Sequence, residues 1–260
     1  MYTLGVNLSR HCSACLLVDG GGPIAATESW LTGQPDDAPL DFFGGCRPRM
    51  PERSIEFCLS KAGISYVDLD VIVFYGDVPS PAQARLGLNV ADCVLRQPFS
   101  PQSRMLTVAP ALAHAYSAYH LAGYDEAAIV VTSCSAYVPD AYGRTAQSTI
   151  RLLERAGIFR AAHGTVFEVA QAASAALAAL RMQRSIEEIV LDLSTWALKK
   201  TGCDRLCVVG NHALDAAAGM RLRDALNARE VFVQPVVDDG TALGAALYGW
   251  HHEQSPALCD

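Results

Sequence analysis

The first 28 residues have the apolar and alternating pattern of β-strands. Three successive glycines, Gly20 to Gly22, interrupt this pattern, and a glycine turn between strand-like segments indicates a hairpin. We therefore expect strands over Tyr2–Leu8, Ala14–Asp19 and Pro23–Glu28. Residues 33–51 are rich in Pro and Gly, which predicts a long surface loop.

Helical spacing follows this loop. The segment that begins at Pro51 places its apolar residues on one helix face and stops at Gly63. Val71–Tyr75 is a fully apolar run of the kind found in buried parallel strands. Residues 81–95 and 111–122 again have the spacing of helices.

The strand pattern then returns and is again followed by helices. We expect strands over Ala128–Ser133, Ala136–Ala141 and Ser148–Glu154. The remaining predicted elements are helices at 164–181 and 183–200, a strand at Arg205–Val209, a helix at 213–227, a strand at Val231–Val233 and a helix at 240–252.

The same order of elements, strands first and then alternating helices and strands, thus occurs twice, and such a repeat outweighs any single motif. A duplicated βββαβαβα unit is typical of the α/β architecture of actin-like (ASKHA) ATPases. That architecture has two pseudo-symmetric lobes with a ligand cleft between them. We expect the two halves to comprise residues 1–125 and 126–260.

Composition and charge narrow the function classes. The 260 residues are 51% hydrophobic and 18% charged, as in a globular protein with a sizeable core. The net charge of −7 provides no basic surface for nucleic acid or an anionic membrane. No apolar run reaches the roughly 18 to 20 residues that span a bilayer, and the N-terminus does not resemble a signal peptide. We expect a cytoplasmic protein that binds neither nucleic acid nor membrane.

The nine cysteines are odd in number and scattered, and several lie in apolar stretches. This distribution favours reduced, mostly buried thiols. Cys12 and Cys15 have the spacing of a redox or metal-binding pair. Because no second pair at ligand spacing follows, a structural role is the better interpretation.

Three blocks of the sequence resemble the O-carbamoyltransferases of nodulation-factor, cephamycin and aminoglycoside biosynthesis. They start at Leu4, Ala111 and Pro235 and read LGVNLS, ALAHAYSAY and PVVDDGTALGAALY. The resemblance implies the N-terminal actin-like domain, which transfers a carbamoyl group to an alcohol. In the family, a C-terminal domain first makes carbamoyl-adenylate from carbamoyl phosphate and ATP, and we expect that domain to be absent here.

The blocks depart from the family where it binds metal. The family motif His-His-Leu-Ala-His-Ala reads Pro110 to Ala115 here and keeps one imidazole, His114. The family's Ser-His-Asp after the first strand ends in His11 instead of a carboxylate. Asp238 matches the acidic metal ligand of the family. Because imidazole-held metals need two or three converging ligands, we expect no bound metal.

The blocks also depart where the family binds phosphate. The Asp-Gly pair of the second hairpin is replaced by Thr132-Ser133-Cys134-Ser135, so side chains fill space that glycine would leave to phosphate. The motif Gly-Gly-Val-Ala-Leu-Asn keeps only Gly210 and brings in His212. Basic residues after the third strand give way to the uncharged run that starts at Ser29. No nucleotide cofactor is expected.

Two functional hypotheses follow, because packing positions persist while ligand positions are lost. The leading one is a pseudoenzyme, an auxiliary subunit of natural-product or antibiotic biosynthesis. It would act as a homo-oligomer, or as a heteromer with a full-length homologue or pathway enzyme. The alternative is a stand-alone carbamoyl or acyl transferase, or a hydrolase, with a repurposed site built from His114, His11, His212, Cys134 and Asp238.

Each of these residues also has a structural interpretation. His114 is then a satisfied helix histidine, His11 and His212 are solvated loop residues, and Cys134 is a buried filler. Asp238 is then an acidic residue at a helix N-terminus, where it stabilises the helix dipole.

The last predicted helix carries two further expectations. Its small residues at 240–246 indicate close packing against a sheet or helix and not a phosphate loop. His251 and His252 are expected to be frayed and solvent-facing.

Overall fold

The computed structural model describes most of the chain, namely residues 1–8, 12–33, 50–75, 98–135, 152–172, 186–210, 216–226, 228–234 and 239–254. The helix predicted at 81–95, the strand predicted at Ala136–Ala141 and most of the predicted loop 33–51 lie outside the described residues.

The first sheet has five strands in the order β3-β2-β1-β4-β5. Its strands are β1 (Tyr2–Asn7), β2 (Ser13–Val18), β3 (Ile24–Thr27), β4 (Val71–Tyr75) and β5 (Arg104–Val108). The first three are antiparallel, whereas β4 and β5 join β1 in parallel. The four strands predicted up to Tyr75 are confirmed, and β5 was not predicted.

The described helices in this part of the chain are α1 (Glu28–Thr32), α2 (Glu52–Ala62) and α3 (Pro110–Ala122), and a 3-10 turn spans Tyr66–Asp68. The helix predicted from Pro51 to Gly63 is confirmed as α2. The carboxylate of Glu28 accepts hydrogen bonds from the backbone N–H groups of Arg53 and Ser54, at 3.2 and 2.9 Å, and thereby caps the N-terminus of α2.

The second sheet has the order β10-β9-β6-β7-β8. Its strands are β6 (Glu126–Ser135), β7 (Leu152–Ala162), β8 (Thr165–Ala172), β9 (Arg205–Gly210) and β10 (Glu230–Val233). Three antiparallel strands are again followed by two parallel ones, so the topology of the first sheet is repeated. The predicted duplication of an α/β unit is confirmed.

The helix predicted at 164–181 is wrong where the structure describes it, because residues 165–172 form β8. His163 and Gly164 both have positive φ angles, 52° and 81°, and make a tight turn between β7 and β8. The β-branched and aromatic residues Thr165, Val166 and Phe167 then favour a strand.

The other helices that the structure describes are α4 (Ile186–Thr201), α5 (Ala216–Ala225) and α6 (Asp239–Gln254). The chain divides into two compact units. One comprises Met1–Ser117 with Val237–Asp260, and the other Ala118–Val236. Each unit contains one sheet. Helix α6 therefore belongs with the first sheet, although the predicted boundary at 125/126 would group it with the second half.

Small residues let α6 approach its neighbours closely. Ala242, Ala245 and Ala246 are fully buried, and α6 packs on β1, β2 and β4. A Cβ atom added at Gly244 would overlap the carbonyl oxygen of Ala113 in α3. The predicted role of residues 240–246 in close packing is therefore confirmed where the structure describes their side chains.

Each unit has its own apolar core. Leu4, Ile55 and Ile72 are fully buried in the first. Val130, Val190 and Leu206 are buried in the second, where α4 packs against β6. Within the described residues, no helix is both long enough and apolar enough to cross a membrane.

Candidate functional site

The candidate site lies at the carboxyl edge of the first sheet. Asn7 ends β1 and Tyr75 ends β4, and the two residues are partners in the parallel register. Polar residues directly after buried strands are brought together at such an edge, which is a common position for binding sites in α/β folds.

Asn7 connects this edge to the first turn of α6. Its side-chain amide Nδ2 donates a hydrogen bond to Thr241 Oγ1 at 2.6 Å, and both side chains are buried. The bond fixes the start of α6 against the end of β1 and engages the Asn7 side chain inside the protein.

His114 lies in the second turn of α3 and faces Tyr75. Its Nε2 is 3.5 Å from the Tyr75 hydroxyl oxygen, and the imidazole tautomer decides which group donates the hydrogen bond. The two rings meet edge to face, with centroids 5.9 Å apart. Burial lowers the pKa of His114 to about 4, so its imidazole is neutral at pH 7.

The four side chains Asn7, Tyr75, His114 and Thr241 supply an amide, two hydroxyls and a neutral imidazole. Tyr75 and His114 can exchange hydrogen bonds with a polar, uncharged ligand, and the imidazole can accept a proton, whereas Asn7 and Thr241 are bonded to each other. They provide no formal charge at pH 7.

A metal of the kind implied by the carbamoyltransferase resemblance does not fit the described donors. The position one helical turn before His114 is Pro110, which has no donor atom for a metal. Across the described ranges, no cluster of three or more His, Cys, Asp or Glu side chains is suited to hold a metal ion.

The structure tests the predicted site residues only in part. His114 is placed as described, and Cys134 lies in β6 opposite Leu153, next to a register shift. His11, His212 and Asp238 lie outside the described residues. Their convergence with His114 therefore stays a prediction.

Asn7, Tyr75 and Thr241 were missed by the sequence reasoning. Asn7 and Tyr75 could have been noticed from the sequence, because each is a polar residue at the end of a predicted strand. The two strands pair in parallel, which places both residues at the same edge of the sheet. The partner of Asn7 is 234 residues away in sequence, so its hydrogen bond with Thr241 carries no local pattern.

At the equivalent edge of the second sheet, one glycine is required by packing. Gly210 ends β9 opposite Thr132 of β6, and Thr132 is buried. A Cβ atom at Gly210 would overlap the Thr132 carbonyl oxygen. The sheet itself therefore requires this glycine, whether or not a phosphate binds there.

The prediction for His251 and His252 is wrong. Both lie within α6 and are partly buried. The His251 ring stacks on Tyr116 at a centroid distance of 6.1 Å, and His252 packs against Tyr248 at 5.6 Å. Aromatic neighbours on α3 and on α6 itself thus hold the end of the helix, where sequence position alone suggested fraying.

The chain has the duplicated α/β fold of the actin-like (ASKHA) type, as predicted. The structure matches ROK hexokinase from Thermus thermophilus with a TM-score of 0.51, covering 97% of this chain and 100% of that chain at 13% sequence identity. Identity at this level supports the fold alone.

Residues 141–247 match the family model described as the carbamoyltransferase N-terminus. Nodulation protein NolNO from Sinorhizobium fredii is 27% identical over 144 residues, which cover 48% of this chain. The uncharacterised protein sll1178 from Synechocystis is 35% identical over 74 residues, or 28% of this chain. The matched segments are 19% and 12% of these relatives' own lengths. The predicted resemblance to a carbamoyltransferase N-terminal domain is confirmed.

Proposed function

We propose that this protein is an auxiliary subunit of carbamoyltransferase type that acts with a catalytic partner in natural-product biosynthesis. The observation that carries the proposal is the internal pairing at the carboxyl edge of the first sheet. There Asn7 is bonded to Thr241, and the neutral His114 faces Tyr75.

ATP and carbamoyl phosphate are anions, and proteins hold such groups with cations, metals or clusters of backbone N–H groups. The four described side chains at this edge are uncharged, and two of them are bonded to each other inside the protein. The edge therefore suits a scaffold better than a site for phosphate chemistry.

A catalytic partner would supply the chemistry that this edge does not support. By the family resemblance, that partner is a full-length carbamoyltransferase able to make carbamoyl-adenylate. A second copy of this chain is the other partner predicted from the sequence.

The proposal is tested by expressing the tagged chain together with a full-length carbamoyltransferase from the same genome. We expect a complex that survives size-exclusion chromatography, and faster carbamoyl transfer by the complex than by the enzyme alone. A matched control replaces this chain with an unrelated protein that carries the same tag. If the two proteins elute separately and the enzyme's rate is unchanged by the chain, the auxiliary role is refuted.

A second function is favoured by one observation, the Tyr75–His114 contact, because a neutral imidazole can act as a base. In that case the chain is itself a transferase that uses an already activated carbamoyl donor. The test incubates the chain, without any partner protein, with carbamoyl-adenylate and an acceptor alcohol, and follows formation of the carbamate ester and release of AMP. Equal rates for the original protein, for His114→Ala and for Asp238→Asn would exclude this function.

A further inference from the structure

A cavity of about 360 Å³ lies in the second unit. Three segments line it. The end of α3 contributes Tyr119 and His120, the link into β6 contributes Tyr124 and Asp125, and the β7–β8 turn contributes His163. Four aromatic residues thus line one open pocket, and the solvent-exposed Asp125 lies beside them.

Hydrogen bonds of Tyr119 hold these walls together. Its hydroxyl donates to the backbone carbonyl of Asp125 at 2.9 Å and accepts the N–H of Gly164 at 3.4 Å. One side chain thereby joins the helix end, the link and the turn. The cavity is consequently formed before any ligand enters, which lowers the entropic cost of binding.

The electrostatics of the cavity favour a cation. Helix α3 ends here, and the carbonyl end of a helix carries partial negative charge. The Asp125 carboxylate is fully exposed, and none of the described lining residues is Lys or Arg, although Arg205 lies beside Tyr124. Burial raises the pKa of Tyr119 and of Tyr124, so both phenols stay protonated at neutral pH.

The guanidinium of Arg205 is a cation already placed beside Tyr124 and Asp125. Its guanidinium carbon lies 5.6 Å from the centroid of the Tyr124 ring, and its NH1 atom is 3.9 Å from Asp125 Oδ2. An aromatic face beside a carboxylate attracts organic cations, whose charge is spread and weakly hydrated.

We propose that this cavity binds the ammonium group of a small organic molecule, with the Tyr124 ring and the Asp125 carboxylate as its main contacts. A metal ion is a poorer match, because the described residues hold no metal-binding cluster. The site is separate from the edge of the first sheet and does not depend on the function proposed above.

The test titrates the full chain with choline and follows the backbone amide signals of Gly123 and Gly164 by NMR. The control ligand is 3,3-dimethylbutan-1-ol, which has the shape of choline without its charge. We expect saturable shifts with choline and at least about five-fold weaker binding of the neutral compound. Equal responses to both ligands, or shifts by choline that do not saturate, would overturn the proposal.

Four variants separate direct contact from a general effect on folding. Tyr124→Leu and Asp125→Asn should each weaken choline binding about three-fold or more, while Asp19→Asn in the first unit should not change it. Arg205→Gln should strengthen binding, because it removes an internal cation that competes for the same ring and carboxylate. Unchanged affinity in Asp125→Asn, with thermal melting like that of the original protein, would refute the assigned contacts.

Discussion

Protonation of His114 should destabilise the first unit at acidic pH. Burial holds its pKa at about 4 in the folded protein, against a usual value of 6.5. Between these two pH values the unfolded chain binds a proton that the folded chain does not. The free energy of unfolding therefore falls as the pH drops from 6.5 towards 4. Since one pKa unit corresponds to about 1.4 kcal/mol, this single group accounts for about 3 kcal/mol.

The assay is urea unfolding at a series of pH values from 7.5 to 4.5, for the original protein and for His114→Gln. The variant has no ionisable group at this position, so the difference between the two curves isolates His114 from other titrating residues such as His251. We expect the original protein to lose stability relative to the variant below pH 6.5. Parallel curves, or a His114 NMR titration with a midpoint near 6.5, would show that the burial argument is wrong.

Three further predictions concern packing, hydrogen bonding and thiol reactivity. Gly244→Ala should lower the free energy of unfolding by about 1 to 3 kcal/mol, because the added Cβ would overlap α3. The control Gly22→Ala should change the free energy of unfolding little, because the space around Gly22 is open. Asn7→Ala should lower the free energy of unfolding by about 1 to 3 kcal/mol, because the buried Thr241 hydroxyl loses this partner. A double-mutant cycle with Thr241→Val should show coupling between the two residues, and additive effects would contradict the hydrogen bond. Burial raises the pKa of the Cys207 thiol to about 12, so iodoacetamide at pH 8 should label it by mass spectrometry only after denaturation; rapid labelling of the native protein would contradict its burial.

Strands whose residues are apolar on both faces were predictable from the sequence. β4 is almost entirely buried, and its run of Val, Ile and Phe indicates this directly. β5 was missed because most of its residues, from Arg104 to Thr107, are at least partly exposed and carry no apolar period. Its place in the sheet depends on pairing with β4, which no local pattern encodes.

The misassigned helix and the end of α6 share a cause. β8 is followed by alanines, and their helical preference concealed the strand that starts after the His163–Gly164 turn. His251 was expected to fray because it is close to the C-terminus. In the structure its position is set by Tyr116, which is distant in sequence. Both errors are cases in which tertiary contacts decide between local alternatives.

The candidate site likewise contains one residue that the sequence predicts and others that only the tertiary structure brings together. His114 was accessible to sequence reasoning because a family motif surrounds it. Its partner Tyr75 and the Asn7–Thr241 bond emerge only when the ends of two parallel strands and the first turns of α3 and α6 are placed together.

The proposed auxiliary role requires that this chain, although similar to carbamoyltransferases, does not itself bind ATP or carbamoyl phosphate. Isothermal titration calorimetry of the purified full chain with Mg²⁺-ATP, and separately with carbamoyl phosphate, measures this binding. We expect only heats of dilution up to millimolar ligand, as the auxiliary role requires. Saturable micromolar binding of either compound to the chain alone would contradict it.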